Sequence, residues 1–139
     1  MPYTALKLDD ASKAMLETIA RVFGMPASWE TRCEHMTIEM KPLAKSQVAD
    51  RAGCEYLIVV KAIGRMAVGE GGIMAAAVET DCPSKNVRKH ITLGFLSPAK
   101  PVMSNDITSW VALSEPVTLM GRVEEMPDGP RPAPTQAAA

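Results

Sequence analysis

The chain has 139 residues, of which 47% are hydrophobic and 22% are charged, and its formal net charge is −1. These totals predict one soluble globular domain, and they exclude a protein that grips long nucleic acid through a broad basic surface. The three cysteines show no C-x-x-C pairing, which argues against a disulfide framework. No secretion signal or membrane-spanning run is evident, so we expect a cytoplasmic protein with no membrane partner.

The N-terminal part of the chain predicts one strand followed by one helix. Residues 3–10 alternate in the manner of a strand and end in acidic residues. Residues 9–24 have an apolar face at helical spacing, and the glycine at the end of that range is a typical helix stop. The candidate N-caps are Asp9, Asp10 and Ser12.

The rest of the chain predicts strands joined by short turns. The predicted strands are 33–40, 55–66, 73–81, 89–96 and 115–126, and "GEGG" (69–72) is a hairpin turn. Residues 104–113 predict a short helix capped by Ser104 or Asn105. Residues 127–139 form a Pro- and Ala-rich tail that we expect to be disordered, which leaves 1–126 as a single domain. One helix among about six strands predicts an α+β fold.

Both histidines of the chain stand in the same local pattern. "EHMTI" (34–38) and "KHITL" (89–93) each contain a charged residue, His, an apolar residue, Thr and another apolar residue. Residues i and i+2 of a strand share a face, so each histidine lies beside its own threonine while the apolar residues face the core. One histidine in a strand is usually a satisfied, partly buried residue, but the repeated pairing with threonine favours a function.

Two imidazoles and two hydroxyls suit the cleavage of a phosphodiester. One imidazole takes the proton of an attacking hydroxyl or water, and the other protonates the leaving oxygen. The threonines donate hydrogen bonds to the non-bridging phosphate oxygens. Imidazole titrates near neutral pH, so this chemistry needs no metal or cofactor. The predicted catalytic residues are His35, Thr37, His90 and Thr92.

The double His-x-Thr motif resembles the 2H (two-histidine) phosphoesterase superfamily. The resemblance spans residues 3–126, because "YTALKLD" and "SNDITSW…EPVTLMGRVEE" lie where small members have comparable elements. It implies a bilobal α+β fold with antiparallel sheets flanking a central cleft and one His-x-Thr strand from each half. It also implies metal-independent cleavage of nucleotide phosphodiesters. In its compact size the chain is similar to the phage anti-CBASS nucleases, which degrade the cyclic oligonucleotide signals of bacterial defence.

The resemblance leaves several functions open, since all branches share the motifs. We expect cleavage of 3′–5′ cyclic oligonucleotides through attack by the 2′-hydroxyl. The alternatives are an RNA 2′,3′-cyclic phosphodiesterase that processes RNA ends, and a module that binds a cyclic nucleotide without cutting it. Each implies a small nucleotide partner, a monomer or weak homo-oligomer, and a cytoplasmic location, which is the host cytoplasm if the protein is viral.

Five further residues are predicted to bind the substrate. An aromatic side chain just ahead of the first strand stacks on a base, or packs at the edge of the core. Basic residues in the loop before the second motif supply positive charge for a phosphate, or are ordinary solvated charges. A glutamate of the last strand accepts from a base edge, or is surface charge. These predicted residues are Tyr3, Lys85, Asn86, Lys89 and Glu124.

Overall fold

The computed structural model describes residues 1–127, so the predicted disordered tail, apart from its first residue, lies outside the described residues. The elements in chain order are β1 (Tyr3–Leu8), α1 (Asp10–Val22), β2 (Glu30–Thr31), β3 (His35–Glu39), β4 (Glu55–Val68), β5 (Gly71–Glu79), β6 (His90–Leu96) and β7 (Trp110–Met126). Short 3₁₀ helices lie at Leu43–Lys45, Ala49–Arg51 and Pro101–Asp106.

The strands of the described residues form one antiparallel sheet that closes on itself. Their order is β2-β6-β3-β1-β7-β4-β5, and β5 also pairs with β6. Apart from the two-residue strand β2, the sheet is therefore a closed six-stranded antiparallel barrel. Closure pairs both edges of the six-stranded sheet, which removes the open edges that a flat sheet would expose.

The predicted bilobal α+β fold is wrong. That fold would place antiparallel sheets on either side of a cleft, with one His-x-Thr strand contributed by each half. Instead β3 and β6, which carry the two motifs, are neighbours in the same barrel. The described part of the chain contains a single α-helix, α1. Alternation along a strand is a local signal, whereas the pairing of β5 with both β4 and β6 depends on contacts between distant segments.

Several predicted elements are confirmed with small shifts at their ends. Asp9 is the N-cap of α1, and its side chain accepts a hydrogen bond of 2.8 Å from the backbone N–H of Ser12. The predicted "GEGG" turn joins β4 to β5, with Gly69 at a positive φ of 57°. The connection itself is only residues 69–70, because β5 already begins at Gly71, within the predicted turn and two residues earlier than predicted. No helix in residues 1–127 has the length and hydrophobicity needed to cross a bilayer.

The predicted helix at 104–113 is wrong from residue 107 onward. A 3₁₀ helix ends at Asp106, and β7 already begins at Trp110. The reason is tertiary, because Trp110 pairs with Gly64 of β4 and its ring occupies the space where a side chain at Gly64 would lie. Packing against a neighbouring strand thus overrides the local helical pattern.

Two apolar clusters lie on opposite faces of β5. Met74 and Ala76 belong to the main core, to which α1 contributes Leu16 and Ala20. The alternate β5 residues Ile73 and Ala75 belong to a second, smaller cluster with Ala99 and Ile107. Because side chains alternate along a strand, this second cluster lies on the other face of the sheet. It holds the 3₁₀ helix Pro101–Asp106 against β5 and β6.

The inward direction of Met36 can be tested by truncation. Met36 is 0% exposed, and replacing it with alanine would leave a cavity in the core. We expect Met36→Ala to lower the free energy of unfolding by about 2–5 kcal/mol. The matched control is Met15→Ala on α1, because Met15 is 50% exposed; its effect should stay within about 0.5 kcal/mol. Urea denaturation measures both, and equal losses would contradict the inward orientation of Met36.

Candidate active site

The two His-x-Thr motifs lie side by side on one face of the sheet. Met36 of β3 pairs with Ile91 of β6, and both residues are fully buried in the main core. The residues that flank them along each strand therefore face the opposite way, outside the barrel. This outer face carries both histidines and both threonines.

One residue pair joins the two motifs. Met36 and Ile91, which stand at the centres of the motifs, are the paired residues of β3 and β6. On the N-terminal side of this pair the Cys33 N–H donates to the Thr92 carbonyl oxygen, and on the other side the Thr37 carbonyl oxygen accepts from the Ser84 hydroxyl. The two motifs therefore lie side by side, with each histidine next to its own threonine along its strand.

Small side chains border the two motifs on both sides. Ala5 of β1 pairs with Thr37, and Ala75 and Ala77 of β5 pair with the second threonine and histidine. These alanines have exposures of 0%, 0% and 6%, so none of them projects into solvent. The exception is Lys7 of β1, an exposed residue that pairs with His35 and brings a long cationic side chain to this face.

A bulge precedes the first histidine. Five residue steps separate the paired residues Thr31 and Met36, whereas three separate their partners Gly94 and Ile91 on β6. Cys33 lies within the bulge and has a left-handed φ of 55°. Bulges of this kind redirect the side chains that follow them and often lie next to functional sites.

His35 is held as a neutral imidazole. Its Nε2 atom lies 3.2 Å from the hydroxyl oxygen of Tyr3, and its buried Nδ1 atom has no hydrogen-bond partner within residues 1–127. Burial, followed by the positive charges of Arg32 and His90, lowers the pKa of His35 from 6.5 to about 4. The imidazole is therefore uncharged at neutral pH and able to accept a proton.

His90 has a different environment. It is 8% exposed, and its Nδ1 atom lies 2.9 Å from the carbonyl oxygen of Arg88. A carbonyl oxygen can only accept, so Nδ1 carries a hydrogen and donates it. The Nε2 atom makes no hydrogen bond to any described residue. Nε2 is therefore the nitrogen of His90 left to exchange a proton with a ligand.

The threonine hydroxyls are held to different degrees. The Thr92 hydroxyl lies 2.8 Å from that of Ser104, a buried residue of the 3₁₀ helix. The Thr37 hydroxyl has no hydrogen bond within the described part of the chain. The backbone carbonyl oxygen of Thr37 accepts a hydrogen bond of 2.8 Å from the Ser84 hydroxyl. This bond and a second one, of 2.8 Å from the Lys85 N–H to the Ile38 carbonyl oxygen, fix the loop before β6 against β3.

A cavity of about 400 Å³ opens beside the second histidine. Its walls come from the loop before β6 and from the 3₁₀ helix Pro101–Asp106. The lining residues are Lys85, Asn86, Val87, Arg88, His90, Ser104, Asn105 and Ile107. This volume falls in the range of small-molecule sites, about 300–1,000 Å³. The lining set contains two cations and no carboxylate.

Two of the predicted loop residues lie at this cavity and one does not. Lys85 and Asn86 line it. Lys89 turns away, because its Nζ atom donates a hydrogen bond of 2.8 Å to the carbonyl oxygen of Thr80. The charge of Lys89 is therefore used within the β5–β6 connection and not at the cavity.

The other two predicted substrate-binding residues lie on the opposite side of the motifs. Tyr3 contacts His35, with 5.6 Å between the ring centroids. Glu124 of β7 pairs with Ala5 of β1, which places it on the same outer face as the histidines. It is partly buried and forms no hydrogen bond or ion pair with a described residue. The five predicted residues thus do not form a single cluster.

Five lining residues were not among the predicted site residues: Val87, Arg88, Ser104, Asn105 and Ile107. Arg88 belongs to the same basic stretch as Lys85, and that stretch was the available signal. Nothing in the sequence says which members of the stretch turn toward a cavity. Ser104 and Asn105 were interpreted as helix caps, because their contact with β6 depends on tertiary packing.

Comparison with protein families, curated proteins and solved structures finds no match for the chain.

Within residues 1–127, no group of three or more His, Cys, Asp or Glu side chains is placed to hold a metal ion. Burial raises the pKa of Cys33 to about 12 and that of Cys82 to about 11, so both thiols stay protonated.

The low pKa of His35 predicts a loss of stability below neutral pH. The folded-state value of about 4 lies below the ordinary value of 6.5, so between these values the unfolded chain binds a proton that the folded protein does not. The free energy of unfolding should therefore rise with pH across this window, by about 3 kcal/mol in all. Urea denaturation from about pH 4 to about pH 7.5 measures the effect.

His35→Gln is the control for this titration. The variant lacks the imidazole but keeps all other groups, including carboxylates such as Asp9 and Glu39, whose pKa values are lowered by hydrogen bonds. The difference between wild type and variant therefore isolates His35. If the two proteins followed parallel curves over this pH window, the assignment of a neutral, buried His35 would be wrong.

Proposed function

We propose that the protein is a metal-independent phosphodiesterase that cleaves 3′–5′ cyclic oligonucleotides through attack by a ribose 2′-hydroxyl. The observation that carries the proposal is the side-by-side placement of both His-x-Thr motifs on one outer face, next to a cavity that is lined by His90 and two cations. The motif also resembles that of the 2H phosphoesterases. The closed barrel departs from their bilobal fold, so this support comes from the motif and not from the architecture.

His35 is the better candidate for the general base. A base must be unprotonated before the reaction, and the pKa of His35, at about 4, meets that condition at neutral pH. Its Nδ1 atom is buried, so the proton of the nucleophile arrives at Nε2. The Tyr3 hydroxyl lies 3.2 Å from the same nitrogen, so the attacking hydroxyl takes its place at Nε2 when the substrate binds.

His90 is then the general acid. Its Nδ1–H is committed to the Arg88 carbonyl oxygen, which fixes the ring and leaves Nε2 to deliver a proton. His90 also lines the cavity, so the leaving group has space on that side.

The proposed step is an in-line transesterification. A bond forms between the 2′-oxygen and phosphorus while the bond from phosphorus to the leaving 5′-oxygen breaks. The proton of the 2′-hydroxyl passes to His35, and a proton on His90 passes to the 5′-oxygen. Thr37 and Thr92 donate to the non-bridging oxygens, and Ser104 holds the second of these hydroxyls in place. The product is a linear oligonucleotide that ends in a 2′,3′-cyclic phosphate.

Substitutions at the four motif residues test this assignment. We expect His35→Ala and His90→Ala each to lower kcat by about 10²–10⁴-fold, since each removes one proton-transfer group. Thr37→Ala and Thr92→Ala should each lower it by about 10²-fold, since one phosphate donor is lost. The matched control is Thr118→Ala on the exposed surface of β7, which should leave kcat unchanged. Near wild-type kcat in either histidine variant would refute the assignment.

The first product distinguishes the nucleophile. Mass spectrometry of a cyclic oligonucleotide digest, run in EDTA, should show a linear species with a 2′,3′-cyclic phosphate as its earliest product. A 2′-O-methyl group at the attacked ribose should leave binding intact and abolish cleavage, because the intramolecular nucleophile is removed. A first product that carries only a 5′-phosphate would refute attack by the 2′-hydroxyl. If the enzyme instead consumes added RNA that ends in a 2′,3′-cyclic phosphate, the result would favour hydrolysis of RNA ends with water as the nucleophile.

A further inference from the structure

We infer that the cavity beside His90 binds a second phosphate of the substrate, the one attached to the 3′-oxygen of the leaving nucleoside. This inference rests on the proposed function, because it takes His90 as the acid that protonates the leaving 5′-oxygen. It names the substrate class more narrowly, as oligonucleotides that carry a phosphate on each side of the leaving nucleoside.

The cavity is lined by two cations and no carboxylate. Neither Lys85 nor Arg88 forms an ion pair with a carboxylate in the described residues, although Lys85 lies near enough to Glu39 to interact with its carboxylate electrostatically. Five of the other twelve Lys and Arg side chains in residues 1–127 do form such ion pairs, namely Lys13, Arg32, Lys41, Lys61 and Arg122. A protein whose net charge is −1 thus places two cations without ion pairs at one concave site. Such a site attracts an anion.

Arg88 is held in place before any ligand arrives. Its guanidinium carbon lies 4.9 Å from the ring centroid of Trp110, which is a cation–π contact. Its carbonyl oxygen accepts the hydrogen bond from His90. One residue therefore orients the acid through its backbone and brings a cation to the cavity through its side chain. A planar guanidinium fixed in this way suits bidentate binding of phosphate.

The other cation stands on an anchored segment of backbone. The Lys85 N–H donates to the carbonyl oxygen of Ile38, and the Asn86 N–H donates to the Ser84 hydroxyl at 3.1 Å. Ser84 in turn donates to the carbonyl oxygen of Thr37. The loop is thus fixed to the strand of the first motif, so ligand binding needs little further ordering of its backbone.

The size and position of the cavity identify the part of the substrate. A volume of about 400 Å³ lies in the lower part of the range of small-molecule sites, about 300–1,000 Å³, so the cavity suits a group of about the size of one nucleotide. His90 lines the cavity, so the contents lie on the side of the leaving oxygen. A terminal 2′,3′-cyclic phosphate has no leaving nucleoside and would not fill this space. A cyclic oligonucleotide has both the nucleoside and the second phosphate.

The test measures binding and is independent of turnover. Three dinucleotides are titrated into the full chain by calorimetry, all with a 2′-O-methyl group on the attacked ribose: one unphosphorylated, one with a 3′-phosphate and one with a 5′-phosphate. We expect the 3′-phosphate to tighten binding by about tenfold or more, because it gains charge-assisted hydrogen bonds. The 5′-phosphate should have little effect, since it lies on the other side of the scissile bond.

Variants of the loop assign the gain to its residues. Arg88→Gln and Lys85→Gln should each remove most of the advantage of the 3′-phosphate. Lys89→Gln is the matched control and should keep that advantage, because Lys89 bonds to the Thr80 carbonyl oxygen and does not line the cavity. If Arg88→Gln does not fold, Lys85→Gln alone decides the assignment.

The outcomes separate this inference from the proposed function. Equal affinity for the three ligands, a gain from the 5′-phosphate, or a gain that survives in both variants would overturn the second-phosphate site. If cyclic oligonucleotides are cleaved but the 3′-phosphate gives no gain, only the inference fails. If the 3′-phosphate gives the expected gain and no cyclic oligonucleotide is cleaved, the phosphate site stands and the proposed catalysis fails.

Discussion

The pairing of β3 with β6 is the constraint on which the candidate site depends. Met36 and Ile91 meet at this pair and are both completely buried, so a slip of one residue would turn core side chains outward. The cost of exposing them fixes the register. The same register sets the two His-x-Thr motifs side by side on the outer face. Burial of apolar side chains on one side of the sheet thus positions the polar side chains on the other.

The local part of this arrangement could be predicted from the sequence, and the global part could not. Alternation predicts β3 and β6, and the cap at Asp9 predicts the start of α1. Closure of the barrel depends on β5, which pairs with β4 through a short hairpin and also with β6 across a long connection. No periodicity encodes the second pairing, so two sheets around a cleft and one closed barrel share the same strand pattern.

The side-chain contacts of the site show the same limit. Lys85 and Lys89 have the same chemistry and lie four residues apart in one basic stretch. The first lines the cavity, while the second bonds to the Thr80 carbonyl oxygen. Which of them faces a ligand depends on backbone hydrogen bonds, such as that from Lys85 to the Ile38 carbonyl oxygen. Composition predicts positive charge near the second motif, but it cannot predict the direction of each side chain.

The two motifs are alike in sequence and unlike in environment, and the barrel is the cause. General acid–base catalysis needs one proton acceptor and one proton donor, so identical surroundings for both histidines would serve it poorly. The strand beyond β3 is β1, which brings Tyr3 to His35. The strand beyond β6 is β5, which places small alanines beside the second motif. The 3₁₀ helix that packs against β5 forms part of the cavity wall beside His90. Two copies of one motif therefore have different environments, because the strands on their other sides in the barrel differ.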